Sequence, residues 1–518
     1  SKVNPEQIFD IIETKVLDEF GRPTDTRKTK PKEWYLAYKE KFNEEKPPIH
    51  RKSAAPSNKY QKANRWKQFR VYMSRDILSK IANKQYLLIN FLEAPVLGLL
   101  LSYIIKYSNP DEALNGGYIF RENDNIIAYI FMSVIVALFM GLTVSAEEII
   151  RDRKILKRER FLNLSRGSYL FSKVSIMFIV SAIQTLTFVL VGNSILEIKG
   201  MYMDYWIVLF STACFGNLLG LNISSGFNSA VTIYILIPFL IIPQLILGGV
   251  IVKFEKLNPS ITTQDYVPMM GEIMASRWAF EALSVNQFKN NAFDRNFYYY
   301  DKHIKNAGFR KDFWLERLDH KLQFIKRHQR EDEIVPEARD AISLLKTEIS
   351  GENHRNPSVK FAAVEVLAYP LSNFEIEKLN KYFQDLKDYY VHIQTRAMDL
   401  KDHKVMQMNS SEEGKERFRQ LKETYSNQAL TDLMIGSNDY EKIIETENHL
   451  IQRAYPIYRE PSGFRTHFLA PSKKLFDWSL TTFSANVAVL WFFTIVLCLT
   501  LYFNLLRKTL RWFSKLGS

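Results

Sequence analysis

Cysteine is almost absent from this chain: two in 518 residues, Cys214 and Cys498, both inside long apolar runs. The polar region over residues 253–478 has none, so no intrachain disulfide is expected to brace it. That usage suits a bacterial membrane better than a eukaryotic cell surface. A GxxxxGKS/T phosphate loop is missing, which excludes the usual cradle for a nucleotide. There is no HExxH and no His/Cys cluster with metal-ligand spacing, so no metal is expected. A Ser-centred nucleophile elbow is missing as well. Catalysis by this chain alone has no support, and no cofactor is expected to bind it.

What is present divides sharply. The mean hydropathy of −0.17 averages a polar population with six strongly apolar runs: Tyr86–Ile105, Ile126–Val144, Tyr169–Val191, Tyr205–Leu221, Ala230–Val252 and Val487–Phe503. An apolar helix of about 20 residues spans the hydrocarbon layer, and backbone groups in lipid must pair internally. The runs therefore predict a polytopic six-helix bundle.

Charge placement predicts its orientation. Residues 1–85 hold 20 basic and 11 acidic side chains, the 147–173 loop 8 and 4, and the tail after Leu506 4 and 0. Residues 253–478 are balanced, with 34 of each. Basic residues gather at cytoplasmic membrane ends. Both termini and the 147–173 loop are thus expected inside, with 253–478 outside. The net charge of +13 marks topology and calls for no nucleic-acid partner.

Four domains follow from this reading. Residues 1–60 form a cytoplasmic linker punctuated by Pro23, Pro31, Pro47, Pro48 and Pro56. Residues 61–252 hold a connecting helix and spans one to five, with a charged loop at 145–173. In Tyr60–Asn83, apolar residues recur at helical spacing between Lys and Arg, as in a helix lying in the headgroup layer. Residues 253–478 form an external, periplasmic domain, with helices expected over Pro336–Ile349, Phe374–Met406, Gly414–Met434 and Asp439–Ala454. Span six and a basic tail fill 479–518. The fold class is all-α: a polytopic transmembrane bundle with a helical external domain inserted between spans five and six.

The most telling stretch is Ser145–Lys173, SAEEIIRDRKILKRERFLNLSRGSYLFSK. A loop that only joins two membrane helices needs no dense amphipathic charged helix, whereas one that docks on a partner does. Glu147, Asp152, Arg153, Lys157, Arg158, Glu159 and Arg160 are the expected coupling residues, with Ile155 and Leu156 holding the helix to the bundle. Within the spans, Glu93, Gln184 and Asn217 are polar, and Asn222 and Asn228 bracket the turn after span four. An ionisable group in a span is a functional candidate by default, though Glu93 lies near enough to one surface to snorkel.

Four stretches together carry a family resemblance. They are Gln68, Phe69, Arg75 and Asn83 followed by Val96–Leu99; Asp152–Arg160 with Glu147; Gly248–Val252; and Ser276–Leu283 with Asn286 and Phe288. In this order the chain resembles the membrane half of G-subfamily ABC transporters, of the white and pleiotropic-drug-resistance types. Asn4-Pro5 with Phe9–Ile12 is similar to the linker just after that family's nucleotide-binding domain. The resemblance implies an ATPase upstream on the same polypeptide or as a separate subunit, which would hold ATP and Mg. It further implies a second copy of the chain, a location in the inner membrane and export of a hydrophobic or amphiphilic substrate. By the matched positions, Ala137 and Met140 with Pro238 and Ile242 would line the substrate path, and Val250 and Ile251 would form the outer gate. LSRGS at 164–168 echoes an ABC signature only by chance, lacking the Gly pair that meets phosphates.

Two departures stand out. The external region is far longer than is usual in the family, with an insertion over roughly 290–470. No basic residue is evident on span three near Glu147, where Ala182 or a neighbour stands, so the family's polar relay is not expected. A second reading is a scaffold whose external domain engages an envelope partner without moving solute.

Overall fold

The computed structural model describes residues 5–42, 64–107, 117–159, 164–262, 264–328, 336–446 and 448–516. They fall into two compact units, residues 1–64 and 65–518. The first holds helices Pro5–Glu13 and Pro31–Phe42 around a two-stranded hairpin, Lys15–Leu17 with Pro23–Arg27. The turn is set by Asp18, whose carboxylate accepts the Phe20 and Arg22 amides at 3.0 and 2.7 Å. The prolines suggested short helices here, and the hairpin was not anticipated.

The second unit is built on apolar helices. Five are long and apolar enough to cross a membrane: spans one to four are Lys84–Ile105, Ile126–Ala146, Arg166–Ile195 and Tyr202–Gly226, and the last is Thr482–Phe503. The expected span Ala230–Val252 is shorter than its apolar run. Its helix covers Ala230–Ile246, 17 residues with Pro238 and Pro243 inside. At 1.5 Å per residue it rises about 25 Å, less than the roughly 30 Å hydrocarbon layer. Gly249 ends the run in a left-handed conformation, φ +80°, open to glycine without steric cost. A Cβ there would lie 2.5 Å from the Phe254 ring.

Spans two and four make the most intimate pair. Gly216 and Gly220, one helical turn apart on span four, face span two; a Cβ on either would come within 2.7 Å of a span-two carbonyl, Leu138 O or Leu142 O. Small residues four apart are what allow helices in lipid to approach this closely. Gly216→Val is therefore expected to destabilise the detergent-solubilised protein by about 1–3 kcal/mol through overpacking. Gly351→Ala, where a Cβ meets nothing within 4 Å, should raise stability slightly by helix propensity. Thermal unfolding of both variants checks the pair.

The polar span residues join helices. Gln184 donates to Asn90 O at 3.0 Å, tying span three to span one. Asn217 donates to Ser181 Oγ at 2.8 Å, and Asn222 links span four to the last span through Leu497 O and Thr500 at 2.9 Å each.

Residues 253–478 divide between two cores. Helix Ala275–Asn290 is buried over most of its length. Its Trp278, Phe280 and Leu283, with Leu430, Ile457 and Leu469, share one core with Phe131, Tyr205 and Leu490 of the spans. A separate core joins Trp314, Leu318, Leu345, Leu379 and Leu386, carried by helices Leu315–His328, Pro336–Arg355 and Asn373–Met408 and the π-helical turn Arg310–Trp314.

Two of the expected helices are corrected. Asp439–Ala454 is an antiparallel hairpin, Ile443–Glu445 with Leu450–Gln452, in the register Ile444 opposite Ile451. β-branched residues at these positions fit a half-buried pleated surface better than a helix. Gly414–Met434 is two helices, Glu412–Tyr425 and Gln428–Ile435. Asn427 breaks it: its side-chain oxygen caps Leu430 N at 2.9 Å, while its amide donates to Phe120 O and Asn123 O at 2.8 and 2.9 Å.

Candidate functional site

The second span ends at Ala146, and after Glu147 the charged helix Glu148–Arg158 begins. Its first residue is the pivot. Glu148 is 2% exposed, and a buried carboxylate persists only when paired. Its Oε1 meets Lys80 Nζ of the connecting helix Arg65–Ala82 and Arg151 at 2.9 Å; its Oε2 meets Lys173 Nζ of span three at 2.9 Å. Lys173 also contacts Asp76 at 2.7 Å and Asp152 at 2.9 Å. Asp76 and Lys80 stand one turn apart on the connecting helix, Glu148 and Asp152 one turn apart on the charged helix. Each helix thus presents the same face to the ammonium on span three. Tyr169 Oη donates to Asp152 at 3.0 Å, and its ring packs edge-on against Tyr72 at 5.5 Å. Three elements are thereby locked by one buried ionic cluster.

A basic residue of span three does meet an acid of the charged helix, although none was evident from the sequence. The basic residue is Lys173, nearer the start of span three than Ala182, which instead offers its carbonyl to Trp206 at 3.0 Å. The acid is Glu148, one residue past Glu147. Glu147 lies outside the cluster and accepts from Tyr234 of the fifth apolar helix at 2.8 Å.

The other coupling candidates separate by direction. Asp152 points into the cluster. Arg153 reaches the C-terminal end of span four, donating to Ser224 O and Ser225 O at 3.0 Å and to Phe227 O and the Asn228 side chain. Glu159 is bound to Arg75 of the connecting helix at 2.6 Å. Lys157 and Arg158 are exposed, and Arg160 lies outside the described residues. Leu156 packs against the small core around Tyr72, Tyr169 and Leu218. Ile155 does not: it is 44% exposed and belongs to the opposite face. That outward face reads Arg151, Lys154, Ile155 and Arg158, with i, i+3, i+4, i+7 spacing. It is an exposed basic surface with one apolar knob, its Arg151 bonded back to Glu148.

LSRGS also has a structural use. Ser165 caps span three, and its own amide donates to Gln68 at 2.7 Å. Ser168 donates to Arg65 O at 2.9 Å. The motif pins the connecting helix.

The expected path residues differ in exposure. Ala137 and Met140 are each 1% exposed, packed among the chain's own spans. The exposed large apolar side chains of span two are Met132 and Phe139. Pro238 and Ile242 are exposed on the fifth helix, beside Ile235 and Phe239. Val250 packs against the main core, whereas Ile251 is exposed. Among the described residues no group of acidic, His or Cys side chains could hold a metal ion.

At the opposite end of the bundle lies a second buried charge cluster, of which the sequence offered only the stretch Ser276–Leu283. Glu281 is fully buried and accepts from Leu469 N at 3.0 Å and Asn486 at 2.9 Å. Lys473 Nζ lies 3.0 Å from its carboxylate and Arg277 3.7 Å. Both cations sit over the Trp278 ring. The last span is thus fastened to helix Ala275–Asn290 and to the hairpin Ser472–Leu475 with Trp478–Thr481.

The ABC-2 type transporter family matches residues 67–288, the stretch that holds the connecting helix, spans one to four and the ionic cluster. This stretch resembles the membrane domain of ABC-2 type transporters, a family whose members normally pair with a nucleotide-binding domain. ABC transporter G family member STR of Medicago truncatula is 24% identical over 231 residues, 44% of this chain and 27% of the relative. Its namesake from Petunia hybrida is 24% identical over 239 residues, 46% of this chain and 27% of the relative. Over that stretch the chain is similar to G-family ABC transporters. The matched stretch spans about a quarter of the length of both relatives.

Proposed function

We propose that this chain is the permease of an ATP-driven exporter, with an attached or separate nucleotide-binding domain supplying ATP, Mg and hydrolysis. The observation that carries the reading is the Glu148–Lys173 cluster. A push on the charged helix cannot stay local when its first residue shares ion pairs with the connecting helix and span three. The nucleotide-binding domain docks on Arg151, Lys154, Ile155 and Arg158, and closure of the ATPase tilts spans two and three together. Both termini and this loop lie on the cytoplasmic side of a bacterial inner membrane, following the basic-residue bias, and residues 253–478 are periplasmic. A second copy of the chain completes the path between Met132 and Phe139 and the fifth helix at Phe239 and Ile242. Its apolar walls suit a hydrophobic or amphiphilic substrate, and Val250 with Ile251 form a dry outer constriction.

The test is Lys154→Glu with Arg158→Glu in the complete transporter. These residues face away from the bundle, unlike Arg153 and Glu159, whose removal would loosen the helix itself. Substrate-stimulated ATP turnover is expected to fall by an order of magnitude or more, from electrostatic repulsion across the docking face, with the complex still folded. Unchanged stimulation would sink the reading.

The separate core around Trp314 and Leu379 favours a second reading, an ABC-type scaffold whose external body engages an envelope partner. Cross-links between Phe139→Cys and Ile242→Cys that form equally in every nucleotide state, with no solute moved, would favour it.

A further inference from the structure

The segment after the last span is a helix of its own, Leu505–Leu516, LLRKTLRWFSKL. Asn504 separates the two in a left-handed conformation, φ +52°, and Arg166 holds that bend by donating to Leu501 O at 3.1 Å and to the Asn504 side chain. Projected at 100° per residue, Arg507, Lys508, Arg511 and Lys515 share one side with Ser514. Leu505, Leu506, Leu510, Trp512 and Phe513 fill the other. The apolar arc is itself divided. Leu506 and Leu510 pack on Gly226 at the end of span four, whereas Leu505, Trp512 and Phe513 are 44%, 59% and 63% exposed.

The basic side borders a cavity of about 270 Å3 between this helix and the end of span four, lined by Phe227, Asn228, Arg507, Leu510, Arg511 and Ser514. Arg153 reaches its rim from the charged helix, bonded to Phe227 O and Asn228. Several cations thus converge, and no acidic side chain lines the space. Among the described residues neither Arg507 nor Arg511 forms an ion pair with a carboxylate. Concentrated positive charge beside an exposed apolar strip, directly after a membrane span, matches one occupant by charge and by continuity with the bilayer.

We infer that this corner is a binding site for an anionic phospholipid, its headgroup phosphate seated between Arg507 and Arg511, while Leu505, Trp512 and Phe513 on the other side of the helix sink it into the same leaflet. A guanidinium pair suits phosphate through parallel N–H donors, and each basic residue near a charged membrane surface adds affinity for anionic lipid. The site gives the last span and span four a shared lipid clamp. It requires only that the last span crosses the bilayer and does not depend on the exporter reading.

The test uses the full chain in mixed micelles of phosphatidylglycerol and phosphatidylcholine, with retained lipid counted by native mass spectrometry. The unaltered protein should retain phosphatidylglycerol preferentially. Arg507→Gln with Arg511→Gln should lower that preference roughly 30-fold, the factor for two basic residues. Lys67→Gln with Arg70→Gln, which removes the same charge from the connecting helix, should leave it unchanged. An equal fall in both double variants would reduce the site to diffuse attraction and overturn the proposal. So would displacement of the lipid by millimolar glycerol phosphate, since that shows an anion pocket indifferent to acyl chains. Should the arginine variant fail to fold, Ser514→Glu places a negative charge in the same cavity. It must likewise abolish the preference, and retention of the preference would refute the site.

Discussion

Replacing Lys173 by methionine should destabilise the protein by about 3–5 kcal/mol, the usual consequence of removing one partner from a buried ion pair. The expectation rests on what would be left behind. Glu148 is 2% exposed, and Asp76 and Asp152 each lie within 3 Å of the same ammonium. Methionine matches the length of the lysine stem but leaves three carboxylates facing one another, with only Lys80 and Arg151 to compensate Glu148. Solubilised K173M should therefore unfold at a markedly lower temperature. Lys154→Met, on the outward face of the charged helix, should unfold where the unaltered protein does. Equal midpoints for both variants would show that the cluster does not bind the three helices together.

The second large effect is expected at the opposite end of the bundle. Glu281→Gln keeps the shape and one hydrogen bond but leaves Arg277 and Lys473, both 0% exposed, with Glu272 as their remaining acid. A loss of about 3–5 kcal/mol is again expected, read as an early thermal transition. The pH dependence has a definite sign. Burial alone would raise the Glu281 pKa, but Arg277 and Lys473 outweigh it and hold the carboxyl below its ordinary 4.5. Stability from this group is complete above pH 4.5 and is lost as pH falls through the lowered folded value. The unaltered protein should thus lose stability on acidification to below 4.5, and E281Q should lose less over the same range. Parallel acid profiles would contradict the assignment.

The apolar runs were legible because length and hydropathy in lipid leave little freedom: the spans begin and end within a few residues of their runs. The fifth was overestimated because Leu247–Val252 is as apolar as the helix before it, and hydropathy does not register where Gly249 turns the backbone. The hairpin at Ile443–Gln452 was missed because each strand is only three residues long, too short to establish alternation. Of the candidate site, the charged helix was plain from its composition, but the pairing was not. Glu147 and Glu148 are adjacent and chemically alike, and only the helix phase after Ala146 decides which one is buried. Lys173 was hidden for a related reason: it sits among apolar residues at the start of span three, about two and a half turns before Ala182. The Gly216–Gly220 spacing was readable as a close-packing signal, yet only the facing span tells that it meets Leu138 and Leu142.

Proline at 238 and at 243 carries no amide hydrogen, so the carbonyls of Tyr234 and Phe239 lose their customary donors one turn on. Hydrocarbon tails cannot replace those donors, and leaving a peptide oxygen dry in lipid is penalised by several kcal/mol. Tyr234 and Phe239 are both more than half exposed, so the flank they occupy is uncovered by the rest of the chain. Donors for those two oxygens have to come from outside the helix, from a packed neighbour or from water, because lipid supplies none.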